Sequence, residues 1–279
     1  MSSRRELLRR LGFLNDISGI MSAMKALALM EMRMLEEFLA AQHRMVASIE
    51  ASAARFIVWH PKLADLPPPD AEICIVVGSE QGFCGDFNDD LLNQWQGMSA
   101  VDRPDETMLI VGSRLAGRLG PDANALSLAG ASVADEVPRV LLGLTKELNA
   151  LMSGAQEHGW GVSALYHCHA SGQIRRRRLL PLHDLPPPPE PAAFPPDLNL
   201  SPEIFLQGLT GHYLYAVLND ILYSSLMAEN QRRYAQMESA LNKLDEDRNQ
   251  LRLAYNAQRQ EDITEEIEIL LLAADLFRA

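Results

Sequence analysis

All 16 prolines fall between Pro61 and Pro202, and only four of the 17 glycines lie outside that interval. Proline costs about 3 kcal/mol inside a helix and glycine about 1 kcal/mol. Both flanks are therefore clear of the residue that most disrupts a helix. The distribution predicts an N-terminal helix over residues 1–60, a mixed domain over 70–183, a proline-rich connection over 184–202 and a C-terminal helix over 203–279.

The two flanks carry matching seams. Tyr234, Met237, Leu241, Leu244, Arg248, Leu251 and Tyr255 follow the alternating 3–4 spacing of a coiled coil, with Arg248 as its polar break. Ile263, Ile267, Leu270 and Ala274 continue an apolar stripe beyond them. In the N-terminal flank Ile17, Met21, Met24, Ala28, Leu35, Phe38, Met45 and Ile49 lie on the corresponding seam, interrupted by Glu31 and Gln42. Stripes of similar length at opposite ends of a chain predict an antiparallel pair. A helix over 202–279 would run roughly 110 Å, against a diameter of about 50 Å for a compact chain of this size. The pair is expected to project, and its apolar tail ILLLAADLF to need a partner's sleeve. Shorter helices in a bundle, broken at Gly208 and Gly211, are the alternative.

Between the flanks the pattern is α/β. ICIVV (73–77) and TMLIVG (107–112) read as short buried strands, FNDDLLNQWQ and VPRVLLGLTKELNALMSGAQEHG as helices. WGVSALYHCHA and QIRRRRLLPL, joined by the turn SG, read as a strand pair, so a small parallel sheet with a hairpin at its edge is expected. The fold class expected is α/β: long antiparallel N- and C-terminal coiled-coil helices flanking a small Rossmann-like domain.

A net charge of −12 argues against nucleic acid as a partner. Cys74, Cys84 and Cys168 make neither a C-x-x-C pair nor an even set, which fits a reduced compartment. No apolar run reaches the length of a membrane span, and the basic N-terminus lacks a signal-type apolar core. A soluble or peripheral protein is expected.

GSEQGFCGDFN (78–88) lies where α/β proteins place phosphates, but the motif fails as such. No Gly-Lys-Ser/Thr ends it, its glycines miss the dinucleotide spacing, and Asp86 sets negative charge at the helix entry. A tight strand-to-helix turn capped by Asp86 or Asn88 is the preferred reading. His167 and His169 suggest a metal pair, yet no further ligands stand at a recognised spacing, so a half-buried strand face is preferred. Arg175 to Arg178 read as a solvated edge, with an acidic partner or lipid headgroups as the alternative. Met21, Met24, Met30, Met32, Met34 and Met45 suit adaptable packing or a surface touching several neighbours in turn. No catalytic constellation and no cofactor site is visible.

Three stretches carry a resemblance. ISGIMSAMKALALMEMR is similar to the ITKAMKMVAASK helix of F-type ATP synthase gamma subunits, and SEQGFCGDFN to their SDRGLCGGFN. SLMAENQRRYAQMESALNKL through LAYNAQRQEDITEEIEIL is close to their C-terminal helix. The resemblance implies a non-catalytic central rotor stalk without a cofactor of its own. Such a stalk turns with the membrane c-ring inside a hexamer of alternating alpha and beta subunits, beside an epsilon subunit, and drives the beta catalytic sites through their states. Membrane contact would be indirect, through the c-ring, at the cytoplasmic side of a bacterial-type cell membrane. By position, Met24, Glu229, Arg233, Arg259, Gln260, Thr264 and Glu266 match residues of the beta-coupling region. The chain departs from the pattern at LALMEMRMLEE, where the family has MVAASKLRR, and at Asp86, where it has a second glycine. These departures suggest an alternative, sodium-coupled type. A coiled-coil scaffold and a nucleotide-binding α/β enzyme are the competing readings.

Overall fold

The computed structural model of the chain describes residues 2–64, 67, 69, 71–98, 106–119, 125–153, 159–182, 185 and 194–276. Helices α1 (Ser2–Trp59) and α6 (Pro202–Leu276) are each continuous, and α6 runs through Gly208 and Gly211 without a break. Within the proline-rich connection, residues 184 and 186–193 lie outside the described residues. The chain forms two compact units: residues up to Leu27 with those from Tyr234 on, and Ala28–Arg233.

In the first unit α1 and α6 pair antiparallel. Met237 is buried, and Tyr234, Leu241, Leu244, Arg248, Leu251 and Tyr255 are half-buried, as is the facing row Leu11, Leu14, Ile17, Met21 and Met24. Ion pairs brace the seam, Lys25 to Glu238 at 3.0 Å and Arg4 to Asp262 at 3.3 Å. Past Tyr255 the half-buried positions are Gln258 and Asp262, while Ile263, Ile267 and Leu270 are exposed. Ile263 stands eight residues past Tyr255, which turns it about 80° off the seam.

The second unit holds the sheet. Strands β1 (Ala71–Val77), β2 (Glu106–Val111), β3 (Ala125–Leu128), β4 (Trp160–Cys168) and β5 (Gln173–Leu180) take the order β3-β2-β1-β4-β5. All neighbours are parallel except β4 and β5, which form the antiparallel edge hairpin. β1 is central and buried on both faces, as its unbroken apolar run requires. Ile73, Ile75 and Val77 point to a core shared with α5 (Val137–Met152), α6 and the middle of α1. Cys74 and Val76 point to a smaller one under α3 (Phe87–Gly97). Two further helices, α2 (Pro61–Ala64) and α4 (Ser113–Ala116), are single turns. α5 stops at Met152, short of the expected reach to Gly159, and residues 154–158 lie outside the described set.

α1 departs from its expected seam in this unit. Ala28, Glu31, Leu35, Leu39 and Val46 are buried, whereas Phe38 and Met45 are exposed. A strict 3.5-residue repeat drifts against the 3.6-residue helix, and the four-residue step from Leu35 to Leu39 is a stutter that restores the buried face. Glu31, read as an interruption, belongs to that face, and its carboxylate accepts the Ala134 N–H at 3.3 Å.

Candidate functional site

The loop after β1 is built by crossings too close for side chains. A Cβ on Gly78 would lie 2.4 Å from Leu115 Cβ. Gly112, opposite, has φ +118°, and a Cβ there would meet the Gly78 and Ser79 carbonyl oxygens at 2.8 Å. Phe83 and Gly85 both take positive φ, and Phe83 presents its ring to solvent at 60% exposure.

A carboxylate sits inside the loop cluster. The Glu80 carboxylate accepts the Ser113 N–H and hydroxyl, each at 2.8 Å, and the Gly130 N–H at 2.7 Å. Burial pushes the Glu80 carboxyl up, but these donors outweigh it and hold it below the usual range. Glu80 thus places negative charge beside the loop, which disfavours a phosphate there. The expected helix cap is also different: Asp86 stands at the N-cap without a side-chain bond. Asn88 is buried instead, accepting the Ser79 N–H at 3.0 Å and donating to Ser79 Oγ at 2.8 Å.

α6 grips the same loop from its other side. Glu229 accepts the N–H groups of Glu80 and Gln81 at 3.4 and 3.3 Å. Arg233 pairs with Glu229, donates to the Gly82 carbonyl at 3.3 Å and reaches Asn230 Oδ1 at 2.8 Å. An exposed i, i+4 pair would be worth a few tenths of a kcal/mol; both of these side chains are buried. Burial pushes the Glu229 carboxyl up, against the pull of Arg233. Cys84, beside them, is pushed up to about 12, by burial first and the Glu229 charge second, so its thiol is a poor nucleophile at neutral pH.

The histidines do not share a face. His167 is buried on Phe87, ring centroids 3.9 Å apart, with Nε2 2.8 Å from the Phe87 carbonyl oxygen. His169 lies past the end of β4, its Nδ1 3.0 Å from Ser224 Oγ on α6. Among the described residues no group of three or more His, Cys, Asp or Glu is placed to hold a metal. The arginine run is not a solvated edge either. Arg176 meets Glu106 at 2.8 Å, Arg178 meets Glu72 at 2.6 Å, and Arg177 pairs with Glu50 of α1. Alternation along β5 sends these cations to acids on both sides of the sheet edge, leaving Arg175 exposed.

Met24 is half-buried in the α1–α6 seam of its unit. Arg259, Gln260, Thr264 and Glu266 are exposed on α6, with the Thr264 hydroxyl donating to the Gln260 carbonyl at 2.9 Å. They flank the exposed apolar residues Ile263, Ile267 and Leu270.

A family model described as ATP synthase matches residues 3–272. The chain belongs to the ATP synthase gamma-subunit family. It is 25% identical over 299 residues to an ATP synthase gamma chain of Methylacidiphilum infernorum, covering 96% of each chain. It is 26% identical over 203 residues to one of Clostridium novyi, 70% of this chain and 69% of that one. Its fold is similar to a chain of the Euglena gracilis mitochondrial ATP synthase, TM-score 0.63 at 15% identity, covering 97% of this chain and 93% of that one. A chain of the Tetrahymena thermophila mitochondrial ATP synthase central stalk and c-ring structure gives 0.59 at 17% identity, covering 79% of this chain and 99% of that one. Membership makes the chain a non-catalytic central-stalk subunit of an F-type ATP synthase, a peripheral part of a membrane complex. Among the described residues no helix is long and apolar enough to cross a membrane.

Sequence reasoning offered Asn88 as a helix cap and Glu31 as a break in the seam, and it missed Glu80 and the loop-holding roles of all three. Asn88 had a signal, since it ends the SEQGFCGDFN signature. Glu80 and Glu31 had none, because their partners are backbone amides 33 to 103 residues away.

Proposed function

We propose that the chain is the rotating shaft that couples c-ring rotation, driven by ion flow, to conformational change in the beta catalytic sites, or runs the reverse in hydrolysis. One observation carries this reading: α6 exposes Arg259, Gln260, Thr264 and Glu266 around an uncovered apolar stripe, on a helix braced by α1. Such a stripe suits a surrounding sleeve, and the polar residues beside it suit intermittent contact with each beta subunit. A charge crossing 100 mV supplies about 2.3 kcal/mol, so several steps accumulate before one ATP is released. Differential contact with otherwise equivalent partners is what shifts their states.

In this reading residues 1–60 and 203–279 form the shaft, 70–183 its collar, and 184–202 their connection. Met24, Arg259, Gln260, Thr264 and Glu266 meet beta directly. Glu229 and Arg233 support that coupling from inside, by fixing the loop that they grip. The partners are the alpha and beta subunits, epsilon and the c-ring, at the cytoplasmic face of a cell membrane. Purification of the tagged chain from its host tests the assignment. One copy with three alpha and three beta subunits is the expected result, and a homodimer without them overturns it in favour of a scaffold. Sodium dependence of the assembled enzyme is expected from the departures at residues 27–37 and Asp86, and sodium independence removes that subtype.

A further inference from the structure

The ends of three strands and one long helix meet at Glu80. Its carboxylate ties the loop after β1 to Ser113, at the end of β2, and to Gly130, past the end of β3. Its own N–H and that of Gln81 point the other way, to Glu229 on α6. The surrounding backbone has little room to shift: a Cβ on Gly130 would meet Glu80 Oε2 at 3.2 Å. The Arg114 N–H also donates to the Ser79 carbonyl at 3.1 Å. Two sets of bonds thus stand in series through residues 80 and 81, one to the sheet and one to the helix.

Elsewhere α6 meets the sheet mainly through apolar packing, with two neutral contacts beside it: the Ser225 hydroxyl donates to the Val77 carbonyl at 3.3 Å, and Ser224 Oγ lies 3.0 Å from His169 Nδ1. Apolar burial is non-directional and opposes separation more than sliding. Charge-assisted hydrogen bonds are short and directional, so they oppose sliding.

We propose that Glu80 is a positioning residue for torque transfer: it locks the loop at 78–85 to the strand ends while its backbone is held by α6, so that rotation of α6 passes to the α/β domain without slip. This rests on the rotor reading above. The role differs from that of Glu229 and Arg233, which hold only the helix side of the loop.

The test uses the assembled complex in membrane vesicles, carrying the wild-type chain, Glu80→Ala or Glu80→Gln, with ATP hydrolysis and ATP-driven ion transport measured on the same vesicles. Transport per ATP hydrolysed is expected to fall several-fold in Glu80→Ala and less in Glu80→Gln, which keeps an acceptor oxygen. A simple loss of stability lowers both rates together and leaves their ratio alone, so an unchanged ratio overturns the inference. Failure of the wild-type chain to restore activity strikes the rotor reading instead. If Glu80→Ala does not assemble, amide exchange on the full-length chain decides. Ser113 and Gly130 amides should exchange about tenfold faster once a charged acceptor is lost, and the series arrangement requires Gln81 to follow. Wild-type protection at Gln81 overturns the proposal.

Discussion

Asn88 and Ser79 hold each other through two hydrogen bonds, one from the Ser79 N–H at 3.0 Å and one to the Ser79 hydroxyl at 2.8 Å. The first residue after the β1 crossing is thereby fixed to the first turn of α3. Replacing Asn88 by alanine strands a buried N–H, and leaving such a donor unmade costs about 1–3 kcal/mol. The urea midpoint of Asn88→Ala should fall accordingly; a midpoint equal to wild type would show that water satisfies the loop equally well.

Arg233→Ala leaves the Glu229 carboxylate buried without its cation. Breaking one partner of a buried pair costs about 3–5 kcal/mol, while replacing both with apolar residues of similar volume is often close to neutral. In the double variant Glu229→Leu/Arg233→Met the Glu80 and Gln81 N–H groups and the Gly82 carbonyl also lose their partners, which costs stability. The expected order of thermal stability is therefore wild type, then the double variant modestly lower, then Arg233→Ala lowest. Scanning calorimetry on all three checks the order.

Acid should weaken the loop at Glu80. Its folded-state pKa lies below its ordinary value near 4.5, so its contribution is present above that value and is lost as pH falls through the folded pKa. Glu106 and Asp220 run the other way: burial raises both, and protonation relieves that cost. The stability difference between wild type and Glu80→Gln should therefore be full near neutral pH and close up as pH falls below 4.5 through the lower folded-state pKa. A difference that stays constant across this range would place the stabilisation in shape alone.

The stutter in α1 predicts a contrast between Leu39 and Met45. Leu39→Ala empties part of the core and should cost about 2–5 kcal/mol. Met45→Ala removes a side chain 46% exposed and should stay within about 0.5 kcal/mol. Denaturant melts of the two variants separate this frame from the uninterrupted heptad, which places Met45 inside.

Arg259→Ala with Gln260→Ala removes two exposed polar side chains from α6 without touching any packing in the chain. Stability should be unchanged, while ATP hydrolysis and coupling in the assembled complex should fall. Unchanged ATPase and coupling would remove both residues from the partner surface.

Periodicity and punctuation made most of the fold legible. Proline exclusion outlined α1 and α6, the 3–4 spacing from Tyr234 to Tyr255 named the α6 seam, and the runs at 73–77 and 107–112 named two core strands. β3 escaped because it is four residues long and largely exposed. The frame shift after Leu35 escaped because Phe38 and Met45 are as apolar as Leu39 and Val46, and only the surroundings choose between them. The pairing of Arg176 to Arg178 with Glu50, Glu72 and Glu106 depends on contacts 70 to 127 residues apart, which no local pattern records. The site residues from Arg259 to Glu266 were legible only through family resemblance, since by themselves they are ordinary exposed helix residues.

The ion pair between Arg4 and Asp262 spans 258 residues of chain. On the ribosome, then, the first helix made is among the last to find its mate. At about 5–20 residues per second, its apolar inner stripe waits roughly ten to fifty seconds for the C-terminal helix of the pair to emerge. Over that interval the nascent chain offers an unmatched apolar helix to whatever is nearby, and a chaperone is the natural temporary companion.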